Sequence, residues 1–92
     1  MKEFSFGFLQ TKVKIDDRYF SYKMPGRKWS DYPLSEVKTV MCKFGPVYGN
    51  LMIMGVDGAV LNRYVKVPKR DHSAEVIKEI EMYLDSKKLK TA

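Results

Sequence analysis

Apolar and polar positions alternate along most of the chain and switch to a helical period only near its end. Phe4, Phe6 and Phe8 alternate with Ser5, Gly7 and Leu9, which predicts a strand whose aromatic face is buried. Lys12, Lys14 and Asp16 alternate with Val13 and Ile15, a strand with one wet and one dry face. Asp16-Asp17-Arg18 turns the chain. Tyr19 to Met24 then runs back, with Phe20 and Tyr22 on one side and Ser21 and Lys23 on the other, so the two strands form a hairpin. Pro25-Gly26 is a turn, and Arg27 to Tyr32 reads as a short third strand anchored by Trp29.

Leu34 to Phe44 fits two readings. Leu34, Val37, Val40, Met41 and Phe44 follow a helical period, whereas β-branched Val37, Thr39 and Val40 favour a strand with Val40, Cys42 and Phe44 on one face. Gly45-Pro46 ends the run in either case. Tyr48 to Val56 is nearly all apolar and predicts a central strand, with Met52 and Met54 filling gaps in the core. Asp57-Gly58 is a hairpin turn signal. Val60 to Val67 returns with Leu61, Val65 and Val67 on one face.

The last element is a helix from Asp71 to Leu89. Val76, Ile77, Ile80, Tyr83, Leu84 and Leu89 make its apolar stripe, while Glu75, Lys78, Glu79, Glu81, Asp85 and Lys88 take the far side. Asp71 or Ser73 is placed to cap the first N–H groups. Such a helix is marginal alone in water, so its stripe has to be buried against the strands. The pattern therefore predicts one domain over residues 1–92, mainly β, with a C-terminal helix closing the sheet.

Charge adds to this picture. The net charge is +6. From Asp71 onward four Lys face five Asp/Glu, a net of −1, so the first seventy residues carry +7, from thirteen Lys/Arg against six Asp/Glu. A basic excess confined to the strands suits an anionic partner or serves solubility. The most concentrated group is Lys12, Lys14 and Lys23 on the first hairpin with Arg27 and Lys28 after the Pro-Gly turn. Neighbouring strands lie about 4.8 Å apart, close enough for these side chains to meet one phosphate. Lys66, Lys69 and Arg70 form a second basic group before the helix. Exposed Tyr19, Trp29 or Tyr48 beside such cations would suit single-stranded nucleic acid as an alternative partner. The uncharged run around Tyr48, Asn50 and Met52 is the candidate sheet edge for a homo-oligomer or a protein partner.

No reaction is spelled out. Asp71, His72 and Ser73 are adjacent, and adjacent residues cannot converge as a triad. One His and one Cys do not make the usual zinc site, and the glycines form no phosphate loop. Cys42 has no neighbouring base and reads as a packed thiol. The expectation is a non-catalytic chain without a cofactor. Met1-Lys2-Glu3 leads into no signal-like apolar run, and Phe44 to Val56 is too short to span a bilayer, which points to a cytoplasmic location.

The order of elements resembles the small bacterial pleckstrin-homology (PH)-like domains of unknown function. The resemblance is carried by the hairpin from Lys12 to Tyr22, by Tyr32-Pro-Leu-Ser-Glu-Val-Lys-Thr-Val40, by Gly49-Asn-Leu-Met-Ile53 and by Val65-Lys-Val-Pro68 before the helix. It implies a bent sheet or barrel of six or seven antiparallel strands plugged by the helix, with Val37 to Phe44 a strand. It also implies a binding or scaffolding role through protein contacts or anionic membrane head groups. In lipid-binding relatives a Lys strand is followed by a basic-x-Arg triplet. Lys12 and Lys14 match the first part, but Arg18 is followed by Tyr19 and Phe20, so the triplet is missing.

Overall fold

Two antiparallel sheets and one helix are built as the alternation requires, with four local departures. The computed structural model describes residues 1–68 and 71–91. The first sheet has the order β1 (Lys2–Ser5), β2 (Lys12–Ile15), β3 (Tyr19–Lys23), β4 (Ser30–Pro33). The second has the order β5 (Val37–Phe44), β6 (Tyr48–Gly55), β7 (Lys66–Pro68), and α1 (Asp71–Thr91) follows. Among the described residues no strand pairing joins the two sheets, so they do not close into a barrel. Phe4, Val13, Ile15 and Phe20 from the first sheet meet Val40, Leu51, Ile53 and Val67 from the second in one core. No helix among the described residues is long and apolar enough to cross a membrane.

The helix packs on β1 and β5. Val76, Ile77, Ile80 and Leu84 are buried, as the stripe predicts, and Tyr83 meets Phe4 edge-on at 5.9 Å. Its C-terminal turn is tied down by Lys87, which is 2.5 Å from Asp17, and by Lys88, which donates to the Val37 carbonyl. Lys87 holds the Asp17 carboxyl below its ordinary range, yet that pair is exposed and contributes little. The side chains of Asp71 and Leu89 lie outside the described residues. Ser73 is not an exposed cap: it is fully buried, and its Oγ has no hydrogen-bond partner among the described residues.

The first departure is in the opening strand. Phe4 and Phe6 are buried, but Phe8 is 91% exposed. β1 ends at Ser5 because Gly7 takes φ 133° and Leu9 φ 57°, turning the chain before a third inward position is reached. The second concerns Leu34 to Phe44, which is a strand after a single 3-10 turn at Leu34–Glu36. A register shift between Val37 and Thr39 marks a bulge. The turn and the bulge each offset the strand period, so Leu34, Val37 and Val40 all reach the core at a three-residue spacing that imitates a helix. Met41, which the helical reading would bury, is exposed, and so is Phe44, which both readings would place with Val40.

The third departure is in the return from Asp57-Gly58. The turn forms, with Gly58 at φ 88°, and Val60 bridges Met54. Val60 to Val67 is nonetheless not one strand. The chain leaves the ladder at Asn62, whose side chain takes the backbone's place: Oδ1 accepts from Ile53 N–H at 2.8 Å and Nδ2 donates to the Leu51 carbonyl at 2.9 Å. The backbone resumes at Val65, whose carbonyl accepts from Leu51 N–H at 2.8 Å. The fourth concerns Met52 and Met54. They alternate with buried Leu51, Ile53 and Gly55 and so stand half-buried on the outer face of β6, not in the core.

Two stability changes follow. Ile80→Ala removes a fully buried side chain from the helix stripe and is expected to cost about 2–5 kcal/mol in urea unfolding. Asn62→Ala leaves Ile53 N–H and the Leu51 carbonyl without partners and is expected to cost about 1–3 kcal/mol. A midpoint for Asn62→Ala equal to that of the parent chain would show that water replaces the amide.

Candidate functional site

The basic candidates sit at the end of the first sheet where the β1–β2 and β3–β4 turns meet. Met24-Pro25-Gly26-Arg27 is a tight turn, with Gly26 at φ 73° and Arg27 N–H on the Met24 carbonyl at 3.0 Å, as Pro and Gly in its two middle positions favour. β4 starts only at Ser30, so Arg27 and Lys28 are exposed turn residues and not part of a strand. On the sheet itself Lys12 lies directly opposite Lys23. Like charges facing each other across a strand pair repel, and both lysines line a cleft of about 310 Å³. Phe8, Leu9 and Gln10 form one wall of that cleft and Met24, Pro25 and Gly26 the other.

Lys14 separates from this group. Its register partners are Glu3 and Ser21, and its ammonium lies 4.3 Å from the centre of the Trp29 ring. The cation and the indole therefore satisfy each other, and Trp29 is half-buried before β4 rather than an anchor within a strand. Lys66 likewise covers Tyr48 at 4.2 Å. Of the three aromatics suited to base stacking, two thus already carry a cation from their own chain; Tyr19 is exposed beside the Asp16 turn. Lys69 and Arg70 lie outside the described residues.

The edge expected at Tyr48, Asn50 and Met52 is not an edge. β6 is the middle strand of its sheet: Tyr48 and Asn50 pair with Pro68 and Lys66 on one side, and Asn50 and Met52 pair with Lys43 and Met41 on the other. β7 arrives from the interrupted return segment, which the alternation did not reveal. A Cβ at Gly49 would come within 2.7 Å of the Phe44 ring and 2.8 Å of the Cys42 sulfur, so a larger residue there requires those side chains to shift.

The groups that might do chemistry are dispersed. His72 is exposed on the helix while Ser73 points inward. Among the described residues no three His, Cys, Asp or Glu side chains converge as a metal site would need. Burial raises the Tyr32 hydroxyl to about 12, helped by its hydrogen bond with Tyr22, and raises the Cys42 thiol to about 11. Both are therefore protonated at neutral pH. The exposed tip at Phe8 and Leu9 is the site feature that alternation missed; the cue was Gly7, which interrupts the Phe-x-Phe-x-Phe run.

No family model, curated protein or solved structure matches the chain.

Cys42 supplies a check on this geometry. The thiolate is the reactive form, and an unperturbed thiol has a pKa of about 8.5. With the pKa raised to about 11, alkylation of Cys42 by iodoacetamide should stay slow through mild alkali and level off only above that value. A rate profile with the ordinary thiol midpoint would mean that Cys42 is open to water.

Proposed function

We propose that this chain is a PH-like, non-catalytic binding domain that docks on anionic membrane head groups through the end of its first sheet. The observation that carries the reading is the Lys12–Lys23 pair at the mouth of a cleft whose wall is the exposed, apolar Phe8-Leu9 tip. Two lysines paired across neighbouring strands gain from an anion between them. Arg27 and Lys28 on the next turn extend the positive rim. Each Lys or Arg near an anionic membrane surface adds about 1 kcal/mol, and an apolar tip beside such a rim matches the boundary between head groups and acyl chains.

The tip is also held in an uncommon conformation. Leu9, which is not glycine, takes φ 57° and points its side chain into water. Residues in that region cost free energy and cluster where binding uses them. The PH-like part of this reading rests on the order of seven strands followed by a helix, and such a fold does not specify a ligand by itself. Membrane head groups are favoured over single-stranded nucleic acid because Trp29 and Tyr48 are already capped by Lys14 and Lys66.

Co-sedimentation with phosphatidylcholine vesicles, with and without phosphatidylserine, tests this. Binding is expected only to the phosphatidylserine vesicles and should weaken with salt. Lys12→Ser/Lys23→Ser should abolish the dependence on phosphatidylserine, and Phe8→Ser should weaken binding at every salt concentration. Failure to bind phosphatidylserine vesicles at low salt, alongside binding to an oligonucleotide, would replace this reading with the nucleic-acid one.

A further inference from the structure

The turn between β5 and β6 carries a second hollow, separate from the cleft at Lys12 and Lys23. It measures about 370 Å³, and its walls include Phe44, Pro46, Val47, Tyr48 and Tyr64. Turns are ordinarily polar. Here Val47 is 70% exposed and Tyr64 52%, and Phe44 and Tyr48 are also open to water. One exposed apolar side chain is ordinary, whereas several around a single hollow call for an explanation.

The walls are fixed before anything binds. Gly45 N–H donates to the Tyr48 carbonyl at 2.8 Å and closes the turn. The Phe44 ring lies against Gly49, close to where a Cβ would stand. Tyr64 comes from the return segment, whose next residue is tied to β6 twice. Val65 N–H donates to Asn50 Oδ1 at 3.2 Å, and Leu51 N–H donates to the Val65 carbonyl at 2.8 Å. A preformed hollow spares a ligand the cost of ordering it.

The charge around the hollow has one sign. Lys43 and Asn50 both line it and are register partners. Lys66 pairs with Asn50 from the other side and stands 4.2 Å over the Tyr48 ring. Among the described residues no Asp or Glu lines it. The carboxylates that flank β5 and β6 in the chain, Glu36 and Asp57, lie beyond the Val37–Gly55 pair at the other end of the ladder.

We infer that this hollow takes one apolar side chain from a linear acidic segment of another protein, with the neighbouring carboxylates meeting Lys43 and Lys66. The volume is at the small end for a ligand site, which suits a single large side chain rather than a lipid tail. Cations with no carboxylate among them select an acidic partner and reject a basic one. A stacked nucleobase fits less well, because Lys66 already covers Tyr48. The site uses none of Phe8, Lys12, Lys23, Arg27 or Lys28, so it stands or falls independently of the membrane-docking reading.

NMR titration of the whole chain with synthetic peptides tests it. The first probe is Ser-Asp-Glu-Phe-Glu-Asp-Ser with blocked ends. A second has serine in place of phenylalanine, and a third has lysine in place of every acid. The first should shift the amide signals of Val47, Tyr48 and Tyr64 saturably, and more weakly as salt rises; the other two should leave them in place. Tyr64 and Lys43 are exposed, so Tyr64→Ser and Lys43→Glu should each melt as the parent chain does. Each should nonetheless weaken binding about tenfold, the cost of losing one anchor. Lys12→Ser/Lys23→Ser should leave binding unchanged. The absence of a saturable shift with the phenylalanine peptide would overturn the inference. Equal binding of the serine or the lysine peptide would do the same, as would shifts that fall around Lys12 and Lys23 instead.

Discussion

Two sheets that share no strand pairing among the described residues must be held together by side chains, and in this chain that task falls on the apolar stripe of α1 and the core it covers. The helix packs on β1 of the first sheet and β5 of the second, so Ile80 and Leu84 bury surface belonging to both. Hydrogen bonds also cross between the layers. Thr11 Oγ1 donates to the Lys66 carbonyl at 2.6 Å, at the corner where the first sheet approaches β7. Leu34 N–H bonds the Arg18 carbonyl at 2.8 Å and so fixes the entry into the second sheet. These polar ties give direction, while the non-directional hydrophobic term supplies most of the driving force. A chain this short can build only one modest core, which is why both sheets depend on the same helix.

That dependence leaves the far ends and outer faces of the sheets available for other work. At one end the β1–β2 and β3–β4 turns bring a like-charged pair, a positive rim and an apolar tip into one place. None of these aids folding: the Lys12–Lys23 pair is repulsive, Leu9 is held at positive φ, and Phe8 is exposed. The proposed docking role would account for features that cost stability locally and yet are assembled together. On the outer face of the second sheet, by contrast, Met41 and Met52 follow Lys43, Asn50 and Lys66 across the strands. The two surfaces differ in chemistry.

Sequence reading and structure agree where a period is long and part where a single residue changes the backbone. The strands around Val13, Phe20 and Leu51 and the helix stripe from Val76 to Leu84 were legible, since burial on one face forces a period of two or 3.6. The basic group was legible as composition. Its division was not: only the register sets Lys12 against Lys23, and only the packing of the β3–β4 turn gives Lys14 to Trp29.

The remaining features depend on contacts between residues far apart in the chain. Whether Leu34 to Phe44 is helix or strand turns on a bulge at Lys38, which is defined by pairing with β6 and leaves no local signal. The middle position of Tyr48 to Met52 follows from β7 returning beside it, after Asn62 has substituted its amide for a stretch of ladder. An asparagine in sequence signals a turn; that it completes a sheet is decided by the unpaired groups of Leu51 and Ile53 facing it. The sequence alone therefore determined which residues avoid water and in which elements, because that preference belongs to each side chain and its near neighbours. The tertiary structure alone decided which strands are edges, which lysines meet and which methionines face out, because those outcomes require partners that the order of residues does not name.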